Sequence, residues 1–217
     1  VRDVSPLLLG IIPFGLIFGV TASTSGVPIV AAWASSFIVF AGASQLAIID
    51  ILGNGGAAAV AIFTAVVINA RHLMYSADMG RYTVDEPLTR KIGIGYVLTD
   101  QAYLITSHRF PDPASRAGFT SFFFGAALTL WFTWQVSTTV GLLLGAAIPA
   151  SWSLEFAIPL TFLSLLVLAI KDKPGLVAAA VGGAVALGTV GLSYNLGLLI
   201  GALAGVIAGM TAERWSK

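Results

Sequence analysis

Asp100 lies in Tyr96-Val-Leu-Thr-Asp-Gln-Ala-Tyr-Leu104, near the centre of an apolar stretch over residues 92–107. An ion at mid-membrane costs roughly 2.5–3.5 kcal/mol on insertion scales and usually serves function. Tyr96, Asp100, Tyr103 and Ser107 recur at i, i+4, i+7 and i+11, so one continuous helix would carry them as a polar stripe. A carboxylate on that stripe can bind an ammonium group or take up a proton. The competing reading is an interfacial helix in which Asp100 is simply wet.

A second constellation is Asn69-Ala-Arg-His-Leu-Met-Tyr75, at the end of another apolar stretch. Arg71 and Tyr75 share a helix face at i, i+4, and Asn69 and His72 share a neighbouring one at i, i+3. Arg71 can clamp a carboxylate with two parallel bonds. His72 titrates near neutral pH and can relay protons. Arg71 alone also fits an anchor that snorkels to lipid headgroups.

The third feature is Phe40-Ala-Gly-Ala-Ser-Gln45, small and polar residues midway through the apolar stretch 28–53. They predict a helix that breaks inside the membrane. Freed backbone groups are tolerated there only where protein or a water-filled cavity receives them. Transporters hold substrates at such breaks. The expectation is that amides near Gly42, Ser44 and Gln45 meet a substrate carboxylate at a positive half-helix end. Asp100 then balances an ammonium or carries a coupling proton, and nearby Phe and Leu side chains take up an apolar side chain. Asn69, Arg71, His72 and Tyr75 gate or relay from the cytoplasmic end.

Other candidates are weaker. Asp50 and Glu155 fall near expected helix ends, within reach of solvent. Trp131, Trp134 and Trp152 suit an interfacial belt, although Trp134 beside Gln135 sits where a second break is expected. Gly53-Asn-Gly-Gly56 lacks the Gly-Lys-Ser/Thr ending of a phosphate loop, and no nucleophile elbow is present. With two histidines and no cysteine, a zinc site, a disulfide and a cysteine nucleophile find no support. No enzyme activity, cofactor or metal is expected.

The elements that position these residues belong to a membrane protein. Hydrophobic residues make up 57% of the 217 and charged ones 10%, with mean hydropathy +0.93. A soluble domain carries about 25% charged residues. A net charge of +1 gives no reason to expect nucleic acid. The fold class is therefore all-α and integral to the lipid bilayer. We expect a polytopic helical bundle of about six to eight hydrophobic spans, each needing about 20 apolar residues. The stretches are 5–22, 28–53, 56–76, 92–107, 117–147, 153–170, 175–191 and 196–210, forming one transporter domain over residues 1–217. Pro13 should kink the first span, and Gly10, Gly15 and Gly19 suit close helix contact.

Lys and Arg in short loops set orientation. Arg81, Arg90 and Lys91 should be cytoplasmic, as should Lys171, Lys173, Arg214 and Lys217. With Arg2 on that same side, residues 28–53 must form a re-entrant hairpin broken near Gly42. The same count asks for a second hairpin within 117–147, although Arg109 and Arg116 then fall outside. A shift of 92 residues lays Phe40 on Phe132 and Gly53 on Gly145. This allows an internal repeat of halves 5–76 and 92–170, followed by two further spans over 175–210.

At these residues the chain resembles the AzlC family, the large subunit of bacterial branched-chain amino acid exporters. The matching patterns are Pro13-Phe-Gly-Leu-Ile-Phe-Gly19, Phe40-Ala-Gly-Ala-Ser-Gln45, Asn69-Ala-Arg-His-Leu-Met-Tyr75 and Leu98-Thr-Asp-Gln101. The family often carries an acid where this chain has Gln101, so if that acid couples protons elsewhere, coupling here rests on Asp100 or is altered. Gln101 joins Gly42, Ser44, Gln45 and Asp100 as an expected substrate contact. The resemblance implies export of leucine, isoleucine, valine and methionine across the bacterial inner membrane, with a small AzlD-type membrane subunit as partner, and we expect the proton gradient to drive it. A passive channel and a non-transporting scaffold are the rival functions.

Overall fold

The computed structural model describes residues 3–113, 117–145, 172–192 and 196–216, together with Leu163, Leu166 and Ile170. Arg2, Arg116, Trp152, Glu155, Lys171 and Lys217 lie outside these, as does most of the stretch 153–170. Every regular element among the described residues is helical. The chain divides into two compact units, Val1–Thr161 and Phe162–Lys217.

Among its described residues the first unit holds eight helices. They are α1 (Ser5–Thr24), α2 (Ile29–Ile38), α3 (Gly42–Gly53), α4 (Ala58–Asn69), α5 (Arg71–Gly80), α6 (Leu88–Tyr96), α7 (Asp100–Arg109) and α8 (Phe119–Leu144). Helices α1 and α8 form its axis. They approach so closely that a Cβ on Gly15 would stand 2.6 Å from Ser137 Cβ, and one on Gly19 would stand 2.5 Å from the Leu142 nitrogen. In lipid, small residues at such contacts let backbones pack by dispersion where no hydrophobic force acts between helices. Phe14 meets Trp134 edge-on at 5.3 Å, and Phe18 stacks on it at 5.8 Å. Phe18, Phe119, Phe123 and Leu130 are buried around this axis. Pro13 is accommodated within a continuous α1.

Among the described residues, α1 and α8 are long and apolar enough to cross a bilayer. Helices α4 and α5, bent by 42° at Ala70, make a third crossing if taken as one. Helices α2 and α3 rise only about 15 and 18 Å, roughly half of a 30 Å hydrocarbon core. The interrupted stretch 28–53 is thus two short helices, as expected. Its break spans residues 39–41, with Phe40 in the left-handed region at φ 42°.

Two expectations fail. The stretch 117–147 has no break near Trp134, since α8 runs unbroken through it. Its polar residues serve neighbours instead: Gln135 Nε2 donates to the Ser36 carbonyl at 2.9 Å, and Thr139 Oγ1 accepts from Trp33 at 3.1 Å. The 92-residue shift therefore lays the break at Phe40 on unbroken helix at Phe132, so the two stretches are not structural equivalents.

The fourth stretch is also not one helix. It breaks at residues 97–99, because Thr99 turns extended and its hydroxyl accepts the Ala102 amide at 3.3 Å. That is an N-cap, which satisfies one of the donors a new helix leaves free. Tyr96 ends α6 and Asp100 opens α7, so the polar stripe from Tyr96 to Ser107 is not continuous.

The second unit pairs α9 (Lys173–Gly188) with α10 (Leu196–Ser216). Asp172 caps α9 by accepting the Gly175 amide at 2.7 Å. A Cβ on Gly201 would stand 2.8 Å from the Gly182 carbonyl oxygen, and one on Gly205 as close to that of Ala178.

Candidate functional site

Three helix interruptions supply the site: residues 39–41, the bend at Ala70, and residues 97–99. At the first, Gln45 is fully buried and folds back over the gap. Its Oε1 accepts the Ala41 amide at 3.2 Å, while Nε2 donates to Ser35 Oγ at 2.9 Å and Ser36 Oγ at 3.2 Å. One amide side chain thereby satisfies a freed N–H and ties the end of α2 to the start of α3. Two freed carbonyls of α2 are met from other helices. Gln135 serves Ser36, and the Tyr96 hydroxyl donates to the Phe37 carbonyl at 2.7 Å. Trp131 Nε1 donates to that same hydroxyl at 3.2 Å. Buried backbone groups left unpaired would each cost about 1–3 kcal/mol.

Ser44, also fully buried, donates to the Ala41 carbonyl at 2.9 Å and accepts from Asn69 Nδ2 at 3.0 Å. The first break is thereby joined to the second. Gly42 opens α3 under an aromatic roof. A Cβ there would stand 2.7 Å from Trp134 Cη2 and 3.0 Å from Phe14 Cζ, so only glycine admits the indole this close.

Asn69 ends α4 and Arg71 opens α5, with Ala70 between them at the bend. Arg71 Nη2 pairs with Asp100 Oδ2 at 2.9 Å, joining the second break to the third. The arginine side chain is 30% exposed and the aspartate 15%. Asp100 is the first residue of α7. His72 and Tyr75 lie within electrostatic reach of Asp100, and their rings meet edge-on at 5.7 Å. Gln101 is buried in the first turn of α7.

The pair does not exhaust its own polar capacity. Arg71 Nε, Asp100 Oδ1 and Asn69 Oδ1 are buried and have no hydrogen-bond partner among the described residues. An apolar groove of about 450 Å³ begins at the same bend. Val39, Ile48, Ile62, Val66 and Leu73 line it, with Asn69 at its edge. Asn69 and Ala70 border this groove, whose lining includes neither Arg71 nor Asp100.

The family comparison decides what kind of protein carries this arrangement. The model of the AzlC protein family matches residues 6–148, about two thirds of the chain. The chain belongs to the AzlC family. That match covers all three breaks and the whole of α8. Its relatives are membrane proteins. The chain is 25% identical over 221 residues to the inner membrane protein YgaZ of Escherichia coli K12, an alignment covering 99% of this chain and 89% of that protein. It is 30% identical over 216 residues to an uncharacterized membrane protein of Archaeoglobus fulgidus, covering 97% of this chain and 90% of the relative. No solved structure matches.

In this AzlC-family chain the structure unites the two constellations read separately in the sequence, through Arg71 and Asp100. It links Ser44 to Asn69 as well. No hydrogen bond or ion pair among the described residues joins Ser44 or Gln45 to Asp100. Ser35, Ser36, Thr99 and Gln135 escaped the sequence reading as parts of the site. The Ser-Ser pair just before the break and the glutamine inside an apolar helix were the signals that pointed to them.

Proposed function

We propose that this protein is a secondary transporter exporting small apolar amino acids, leucine, isoleucine and valine first, across the bacterial inner membrane. The proton gradient drives it, and a small AzlD-type membrane subunit works beside it. The observation that carries the reading is the Arg71–Asp100 pair, with three unpartnered polar atoms around it. A zwitterionic amino acid presents a carboxylate and an ammonium on one carbon. Arg71 complements the first and Asp100 the second.

The two side chains neutralise each other at 2.9 Å. A substrate entering between them exchanges one ion pair for two, so no charge is left uncompensated in a low-dielectric site. The apolar groove beginning at Asn69 supports a branched aliphatic side chain as the remaining part. Protonation of Asp100 removes its hold on the ammonium group and frees Arg71, which gives a proton the means to alter substrate binding.

The test is valine efflux from loaded vesicles containing the protein, with and without the small subunit. Asp100→Asn should abolish the response to an imposed pH gradient, while Asp100→Glu retains part of it. Efflux by Asp100→Asn at the wild-type rate and pH response would overturn the proposal. Counterflow across a panel of amino acids defines the substrate range.

A further inference from the structure

We propose that Asp78 exchanges protons between Asp100 and the aqueous phase, along a polar seam between α5 and α7. This inference rests on the proton-coupled reading above and adds the route by which the proton reaches water. Arg71, Tyr75 and Asp78 recur at i, i+4 and i+7 on α5, one face of the helix. Asp100 and Tyr103 recur at i, i+3 on α7.

The two faces meet rung by rung. Arg71 pairs with Asp100. Tyr75 stacks on Tyr103 with ring centroids 4.4 Å apart and an interplanar angle of 15°. The Tyr103 hydroxyl donates to Asp78 Oδ2 at 3.1 Å. Arg81 closes the series on Asp78 Oδ1 at 3.1 Å. Of its two carboxylates, Asp100 is 15% exposed and Asp78 28%, and Arg81 beside Asp78 is 64% exposed.

A seam that only packed two helices together in lipid would be expected to use small or aliphatic residues. Here every rung carries a hydroxyl, a carboxylate or a guanidinium. The charged and titratable groups facing Asp78 are Arg81 and Tyr82 on its own side and Tyr103 from α7. Those facing Asp100 are Arg71, His72 and Tyr75 from α5.

The transfer balances without any added reagent. A protonated Asp100 passes its proton to the Tyr75 oxygen as Tyr75 gives its own to Tyr103, and Tyr103 gives its own to Asp78 Oδ2. Asp78 then loses one proton to water. Both hydroxyls are regenerated, Asp100 ends as a carboxylate, and only O–H bonds are broken and made.

The experiment compares two fluxes in vesicles containing the full chain: valine efflux driven by an imposed pH gradient, and valine counterflow at equal pH. Asp78→Asn and Tyr103→Phe should lower the first by on the order of tenfold or more, as losing a positioned proton relay does. Counterflow should stay near wild type, since exchange needs no net proton release. Asp78→Glu should restore gradient-driven efflux. Gradient-driven efflux unchanged in Asp78→Asn overturns the route, and so does a proportional loss of both fluxes. Wild-type protein that performs counterflow yet ignores the pH gradient overturns the coupling reading itself, and the route with it.

Discussion

Gln135 Nε2 donates to the carbonyl of Ser36 at 2.9 Å, so the longest unbroken helix of the first unit caps the end of a broken one. A carbonyl freed by a helix end has no water to turn to inside a membrane. The polar residue that serves it lies 99 positions away.

Gln135→Leu should therefore lower stability, by less than the roughly 1–3 kcal/mol of one unpaired buried acceptor, because it also removes Gln135 Oε1, itself buried without a partner among the described residues. Thermal unfolding of the purified protein in detergent measures it. Replacing Val136, which is half exposed on the same helix, should shift the midpoint far less.

Arg71 and Asp100 should show strong non-additivity. Arg71→Leu alone leaves a mostly buried carboxylate unpaired. We expect a loss on the order of 2 kcal/mol, below the 3–5 kcal/mol of a fully buried pair because water still reaches the arginine. Arg71→Leu combined with Asp100→Leu should recover most of that loss. A double-mutant cycle read by thermal unfolding gives the coupling, and additive losses would argue against a stabilising pair.

Glu86, in the loop before α6, provides a test by pH. The Thr120 hydroxyl donates to it at 2.6 Å and Arg90 at 2.9 Å. These partners favour the carboxylate and hold its pKa below the ordinary 4.5, the Thr120 bond first and Arg90 next. Its contribution is then complete above pH 4.5 and fades as pH falls through the lower folded value. Wild type should lose thermal stability in that acid window more steeply than Glu86→Gln, and the two profiles should run parallel above it.

What the sequence disclosed follows a physical division. The break at Phe40 was legible because small and polar residues interrupt an apolar run, a local signal. Asn69, Arg71 and Asp100 stood out because ionisable and amide groups are expensive in lipid. Whose backbone a polar residue serves is a long-range fact, and there the reading failed. Gln135 looked like the mark of its own helix's break and is in truth a cap for α2. The break at Thr99 hid behind the helical spacing of Tyr96, Asp100 and Tyr103, which residues of two separate helices can also show. Nor does any spacing disclose that Arg71 reaches Asp100, because that contact depends on how α5 and α7 pack.

Phe40 holds a backbone angle of φ 42° that side chains other than glycine avoid, at roughly 1–2 kcal/mol. A glycine would adopt it freely, and would adopt many others as freely. The phenyl ring lies 6.5 Å from the ring of Tyr96, whose hydroxyl also holds the Phe37 carbonyl. The chain has accepted local discomfort at a joint whose shape is set in part by a residue at the end of α6.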